Sequence, residues 1–154
     1  MIAELTDWLL FLHILAATVW LGGLVTLGLL ATLVLRSRDA EAVGRFVRNL
    51  RVVGPAVFAP AMLAVLGLGI WMVVRDDAWE FGQTWVALAL ALFAAAFLVG
   101  AVFQIRTAIG AQRGVEAGDH SEASRQLRRW SWGAWAILVL LVIVSWDMVF
   151  KPGL

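Results

Sequence analysis

Four long stretches of the chain carry almost no charge, and this feature limits its fold more than any other. They are residues 8–35, 52–74, 85–105 and 130–150, and the only Asp, Glu, Lys or Arg within them is Asp147. Each meets or exceeds the roughly 20 residues that an α-helix needs to cross ~30 Å of hydrocarbon. The 154-residue sequence therefore predicts an all-α membrane protein: a single domain, residues 1–154, folded as a four-transmembrane-helix up-down-up-down bundle.

The first apolar stretch is interpreted as a retained helix and not as a secretory signal. Glu4 and Asp7 precede it where a signal peptide would carry basic residues, and the stretch is too long for the apolar part of such a signal. The chain has no cysteine, which excludes disulfides and thiolate metal sites.

The basic residues are strongly biased toward two of the connections. Ten of the 12 lysines and arginines lie in residues 36–51 and 106–129. The positive-inside rule places these two loops in the cytoplasm and both termini outside. We interpret the arginines as topology signals that contact anionic lipid, with recognition of a cytoplasmic partner as the alternative.

Both basic loops are expected to be partly helical. Val43, Phe46, Val47 and Leu50 fall on one face, which predicts an amphipathic helix at the inner membrane surface. The second loop is polar and contains glycine, and its His120 is interpreted as a solvated loop residue.

Two further sequence features bear on the packing of the helices. Pro55 and Pro60 lack backbone donors and are expected to bend the second helix near its inner end. Glycines and alanines are frequent in the first three helices, and small residues allow transmembrane helices to approach closely.

One histidine lies inside the first apolar stretch, in the sequence FLHILAATVWLGG. At ~1.5 Å per residue, His13 is roughly 7–8 Å below the outer end of its helix. The predicted topology brings Asp147, Met72 and Met148 to the same depth. Ionisable groups within a span are costly and are functional candidates by default.

Simpler interpretations exist for each member of this group. Asp147 and Lys151 are spaced i,i+4 and could form a local ion pair, and the methionines could be ordinary packing residues. His13 could be satisfied by one hydrogen bond. The neighbouring tryptophans are typical of an interfacial belt, and they are Trp71, Trp85 and Trp146.

The helix face around His13 is also compatible with a bound cofactor. His13, Ala17 and Trp20 lie within about 40° of one another around the helix, given its 3.6-residue period. Small residues beside an imidazole leave room for a flat macrocycle, against which a tryptophan could stack. With no second histidine in the membrane, a haem would be five-coordinate, take a different sixth ligand, or be shared between two chains.

The first-helix pattern His13–x6–Trp20–x–Gly22–Gly23, with the ending Trp146–x–Met148–Val149–x–Lys151–Pro152–Gly153, resembles the DUF2269-type bacterial integral membrane proteins over essentially the whole chain. The first helix is also similar to the copper-resistance D family and the HemJ family. In HemJ-like proteins a histidine near the start of helix 1 is implicated in haem binding. The resemblance implies a bacterial inner-membrane protein in which His13 takes that role.

Three hypotheses follow from these observations. In the first, the protein binds haem b through His13 for redox chemistry or haem handling. Trp20 and Ala17 then line the macrocycle, and Asp147 either orients the imidazole or exchanges protons. In the second, His13, Met72 and Met148 bind copper.

The third hypothesis is a non-catalytic accessory subunit with a simply hydrogen-bonded His13. The expected surroundings are a lipid bilayer, with a homodimer or a larger membrane complex compatible with the small-residue faces. No nucleic-acid partner is expected.

Overall fold

The computed structural model describes residues 2–76 and 78–153, and in these residues every regular element is helical. The α-helices are α1 (Ile2–Ser37), α2 (Ala40–Val53), α3 (Ala59–Arg75), α4 (Thr84–Leu98), α5 (Ile105–Glu116) and α6 (His120–Phe150). Single π-helical segments, Gly54–Phe58 and Val99–Gln104, join α2 to α3 and α4 to α5.

Four helices are long and apolar enough to cross a membrane, which confirms the predicted four-helix membrane bundle. They are Glu4–Ser37, Ala40–Arg75, Thr84–Glu116 and His120–Phe150. We call the end that contains the start of α1, the connection 76–83 and the end of α6 the terminal end. The opposite end, which contains residues 36–51 and 106–129, is the arginine end.

The fourth spanning helix begins well before the predicted position at Trp130. The side chain of Asp119 accepts a hydrogen bond of 3.0 Å from the backbone N–H of Glu122 and so caps α6 at its first turn. This N–H, followed by the Ser121 hydroxyl, holds the pKa of the Asp119 carboxyl below its ordinary value. His120 is exposed as predicted, but it is the first residue of α6 and not a loop residue.

The amphipathic stretch forms α2, but its apolar face does not lie on the membrane surface. Val43, Val47 and Leu50 are buried, and the ring of Phe46 meets that of Trp130 at 6.3 Å between centroids. The reason is that α5 and α6 extend through the arginine end and contact α2 there. The expected membrane-surface helix is thus part of the protein core.

The prolines lie at the helical irregularity in the second span. Pro55 falls within the π-helical segment Gly54–Phe58, where its missing N–H removes one α-helical hydrogen bond. Pro60 is in the first turn of α3, which follows the π-helical segment directly, and it removes a second backbone donor. The helix continues through both residues, so the predicted disturbance takes the form of a π turn.

The centre of the bundle is α6, which contacts α1, α4 and α5. One face of α6 is buried along its whole length, from Ala123 through Leu127, Ala134 and Ile137 to Asp147. The outward faces of the other helices stay apolar and exposed, as at Leu33 and Leu63. This distribution is the one expected of a bundle surrounded by lipid.

The hairpin of α5 and α6 depends on a glycine at the closest approach of the two helices. A Cβ at Gly114 would lie 2.7 Å from the backbone nitrogen of Ala123, a distance that a rigid backbone cannot accommodate. We expect Gly114→Ala to lower the free energy of unfolding by about 1–3 kcal/mol through overpacking. Thermal or SDS-titrated unfolding in detergent, followed by circular dichroism, measures this change.

The matched control is Gly22→Ala, because a Cβ at Gly22 in α1 meets nothing within 4 Å. Alanine is the better helix former, so this control should leave stability unchanged or raise it. Equal destabilisation by both substitutions would contradict the proposed close approach.

Candidate functional site

An apolar pocket of about 430 Å³ lies at the terminal end of the bundle. Residues of α1, α3, α4 and α6 line it, together with Trp79 and Phe81 of the connection 76–83. Its size is within the range of about 300–1,000 Å³ that is typical of small-molecule sites. The pocket brings together five of the six residues that the sequence analysis proposed as cofactor or metal site residues. They are His13, Ala17, Trp20, Met72 and Met148; the sixth is Asp147.

His13 forms part of the pocket wall at the contact between α1 and α3. Its side chain is buried, and the backbone carbonyl of Val65 lies near the imidazole. The ring is packed against Gly69, where an added Cβ would lie 3.3 Å from Cε1 and 3.7 Å from Nδ1. Nδ1 itself is buried without a hydrogen-bond partner.

The depth of His13 follows from this contact. Gly69 precedes Arg75, the last residue of α3, by about 9 Å of helix. The imidazole is therefore two turns below the terminal end, close to the depth expected from the sequence.

Ala17 and Trp20 continue the same face of α1. Ala17 is half-buried and adds little bulk to the pocket wall, whereas Trp20 is buried and meets Phe93 of α4 edge-on, with ring centroids 5.7 Å apart. The indole therefore already has an aromatic neighbour, and it forms a wall between α1 and α4.

The two methionines reach the pocket from different helices. Met72 is a buried residue of α3, and Met148 is a half-buried residue of α6. Both methionines lie in the same pocket as His13 because of how the helices pack. The sequence predicted only that the three residues lie at the same depth.

Asp147 is also buried at this end of the bundle, but it does not form the contacts expected of it. Its exposed fraction is 0%, and neither carboxylate oxygen has a hydrogen-bond partner. The structure contains no hydrogen bond from His13 to Asp147, and no ion pair from Lys151 to Asp147. The carboxyl does not line the pocket, so its role in proton exchange stays a prediction.

Lys151 instead places its ammonium over two indole rings. Nζ lies 4.7 Å from the ring centroid of Trp79 and 5.3 Å from that of Trp85. The two indoles are themselves edge-on at 5.5 Å, and Trp85 donates from Nε1 to Oε1 of Gln83 at 3.0 Å. We refer to Lys151, Trp79, Trp85 and Gln83 as the lysine cap of the pocket.

Sequence reasoning treated Lys151 only as a partner for Asp147 and did not consider Trp79. The available signal was the short connection 76–83, whose tryptophan must lie near the end of α6 in any up-down-up-down bundle. The belt interpretation agrees with Trp71 and Trp146, which are about half exposed. It is wrong for Trp85, which is 5% exposed because Trp79 and Lys151 lie against its ring.

Metal ligands of the common hard or borderline types do not cluster here. Across residues 2–76 and 78–153, no group of three or more His, Asp or Glu side chains could hold a metal ion. A metal in this pocket would need thioether ligands or a macrocycle to complete its coordination.

Comparison with known proteins gives one result. The family described as predicted integral membrane protein (DUF2269) matches residues 7–152. No curated protein and no solved structure matches the chain. The resemblance to this family is confirmed, while the likenesses to copper-resistance D and HemJ stay predictions.

The contact between Gly69 and His13 can be tested by histidine NMR, because the chain has only two histidines. Gly69→Ala would place a methyl group 3.3 Å from Cε1 and force the imidazole to move by a few tenths of an ångström. We expect the ring resonances of His13 to shift while those of His120 remain in place.

Gly67→Ala provides the control, because a Cβ there meets nothing within 4 Å. Unchanged His13 resonances in Gly69→Ala would show that the ring does not pack on α3 as described. His120→Ala assigns the two sets of signals.

Proposed function

The chain belongs to the DUF2269 family of predicted integral membrane proteins, and we propose that it binds haem b at its terminal end with His13 as an axial ligand. The observation that carries this proposal is the imidazole of His13 in the wall of an apolar pocket, with one ring nitrogen, Nδ1, that has no hydrogen-bond partner. A buried polar atom without a partner is unfavourable, and coordination to iron would satisfy it.

The two ring nitrogens of His13 are suited to different tasks. The carbonyl of Val65 lies near the ring, and a hydrogen bond to it from one nitrogen would fix the tautomer and leave a lone pair on the other. Histidine ligands of metals commonly donate their other N–H in this way. The Cε1–Nδ1 edge of the ring lies against Gly69, because that position has no Cβ to push the imidazole away.

The remaining walls fit a flat apolar group. Ala17 supplies a small surface next to the histidine, and Trp20 and Phe93 supply aromatic surfaces across the pocket. Met72 and Met148 line the same space, and either thioether is a suitable sixth ligand. Haem supplies one-electron redox chemistry when bound.

The chain's own residues would serve this chemistry in separate ways. His13 would hold the group in one orientation, and the apolar walls would exclude water from it. The function we propose is therefore redox chemistry or haem handling in a membrane.

The proposed location is the bacterial inner membrane, with the arginine end in the cytoplasm and the terminal end outside. The supporting observation is the charge bias: ten arginines lie at one end of the bundle. The pocket would then open toward the outer side. Assembly as a homodimer or within a larger complex is compatible with the exposed small residues of α1, such as Gly22.

The haem proposal predicts a Soret band for the protein purified in detergent, either as isolated or after titration with haemin. His13→Ala should abolish the band, because it removes the axial nitrogen. His120→Ala should preserve it, since that histidine is exposed at the arginine end.

A protein that stays colourless after haemin addition contradicts the proposal. So does a Soret band of equal intensity in His13→Ala, provided that circular dichroism shows both variants folded.

Copper binding is a second candidate, favoured by the presence of Met72 and Met148 with His13 in one pocket. Two thioethers and an imidazole form a soft set suited to Cu(I). We expect Met72→Leu and Met148→Leu each to weaken Cu(I) binding at least tenfold in a competition titration. Met62→Leu is the control, because Met62 packs in the core away from the pocket.

Cu(I) affinity that is equal in all three variants contradicts this second candidate. If neither haem nor Cu(I) binds, a non-catalytic accessory role is favoured, and co-purification from native membranes becomes the informative measurement.

A further inference from the structure

We infer that Lys151 is the anion-recognising residue of the pocket and binds a carboxylate of the pocket's ligand. This inference rests on the proposed function, under which the carboxylate is a propionate of haem b. The pocket is then a site for an amphiphile, with an apolar body among the helices and an acidic group at the terminal end.

The first argument is the charge of the pocket. Among the described residues that line it, Lys151 is the only one with a permanent charge. No salt bridge joins it to any carboxylate within the part of the chain that the structure describes. Within the described residues, the ammonium lies over the ring faces of Trp79 and Trp85.

Ring faces stabilise a cation without neutralising it. Cation–π contacts leave the N–H donors of an ammonium free on the side away from the rings. Lysine carries three such donors and no acceptor, so an added oxygen anion is its natural partner.

The second argument is the backbone at Lys151, which is held in a conformation that a non-glycine residue seldom adopts. Its φ is 42° and its ψ is 62°, in the left-handed region, and its N–H donates to the carbonyl of Asp147 at 2.8 Å. Such strain persists only where the surrounding structure enforces it, and it clusters at ligand sites.

The following residues enforce it here. Pro152 cannot continue the helix, and the backbone at Gly153 passes so close to Thr84 that a Cβ would lie 3.0 Å from Oγ1. The backbone of Lys151 is thereby held beside the pocket, which its side chain lines.

The third argument is the relative position of the two polar groups in the pocket. Lys151 directly follows the last residue of α6, whereas His13 packs on Gly69, about 9 Å of helix below the end of α3. A haem that contacts both residues would have its iron near His13, at the deeper position, and its carboxylates near Lys151, at the terminal end. The carboxylates of haem lie on one edge of the macrocycle, which matches this separation.

The test compares two ligands that differ only in their carboxylates. Haemin and haemin dimethyl ester are titrated into the wild type, and the two dissociation constants are measured from the Soret band. We expect the wild type to bind haemin about three- to tenfold more tightly than the ester, the range expected for a partly exposed ion pair.

Lys151→Gln removes the cation and should abolish this preference, whereas Lys151→Arg should largely keep it. Arg75→Gln is the matched control, since Arg75 also ends a helix at the terminal end but does not line the pocket. It should retain the wild-type preference.

The outcomes separate the two proposals. The role of Lys151 is overturned if the wild type shows a Soret band but binds haemin and the ester equally tightly. It is also overturned if the preference for haemin is equal in wild type and Lys151→Gln. Both outcomes leave His13 ligation intact. No Soret band with either ligand overturns both. Because the wild-type comparison needs no substitution, poor folding of a variant cannot obscure the result.

Discussion

The constraint on which the rest of this structure depends is that backbone polar groups cannot go unpaired in hydrocarbon. Four helices satisfy it, and even the disturbed regions at Gly54–Phe58 and Val99–Gln104 remain helical as π turns. Where Pro55 removes a donor, the chain changes its helical period and does not unfold. Polar side chains inside the bundle are then the exceptions that require a separate explanation.

Three such exceptions occur at the terminal end, and packing resolves each differently. His13 lies against Gly69 with one nitrogen unpartnered, and Asp147 is fully buried with both oxygens unpartnered. Lys151 is accommodated on indole faces. The packing of α6 against α1 and α4 places these groups at the same end of the bundle without pairing them. Their helices are positioned by apolar contacts such as those of Leu24 and Ile137.

The lysine cap links the connection 76–83 to the end of the last helix. Trp79 from the connection and Trp85 from α4 form an edge-on pair, and Lys151 covers both. This cluster closes one side of the pocket and sets its charge. Conformational freedom at this point is small, because Lys151 has a left-handed backbone and Gly153 lies against Thr84.

Much of the fold could be predicted because it depends on one-dimensional properties. The lengths of the apolar stretches predicted four membrane spans, and the 3.6-residue helical period predicted that His13, Ala17 and Trp20 share one face. Helix ends were predicted less well. His120 starts α6 because Asp119 caps it, a local signal that apolar length does not contain.

The sequence by itself determined the membrane class, the number of spans and the depth of His13, because charge and apolar length alone decide which segments can lie in hydrocarbon. Only the tertiary structure decided that Lys151 contacts Trp79 and Trp85 instead of Asp147, and that α5 and α6 cover the apolar face of α2. The physical reason is that spacing along one helix shows which residues share a face. Which neighbour covers that face depends on how the helices pack.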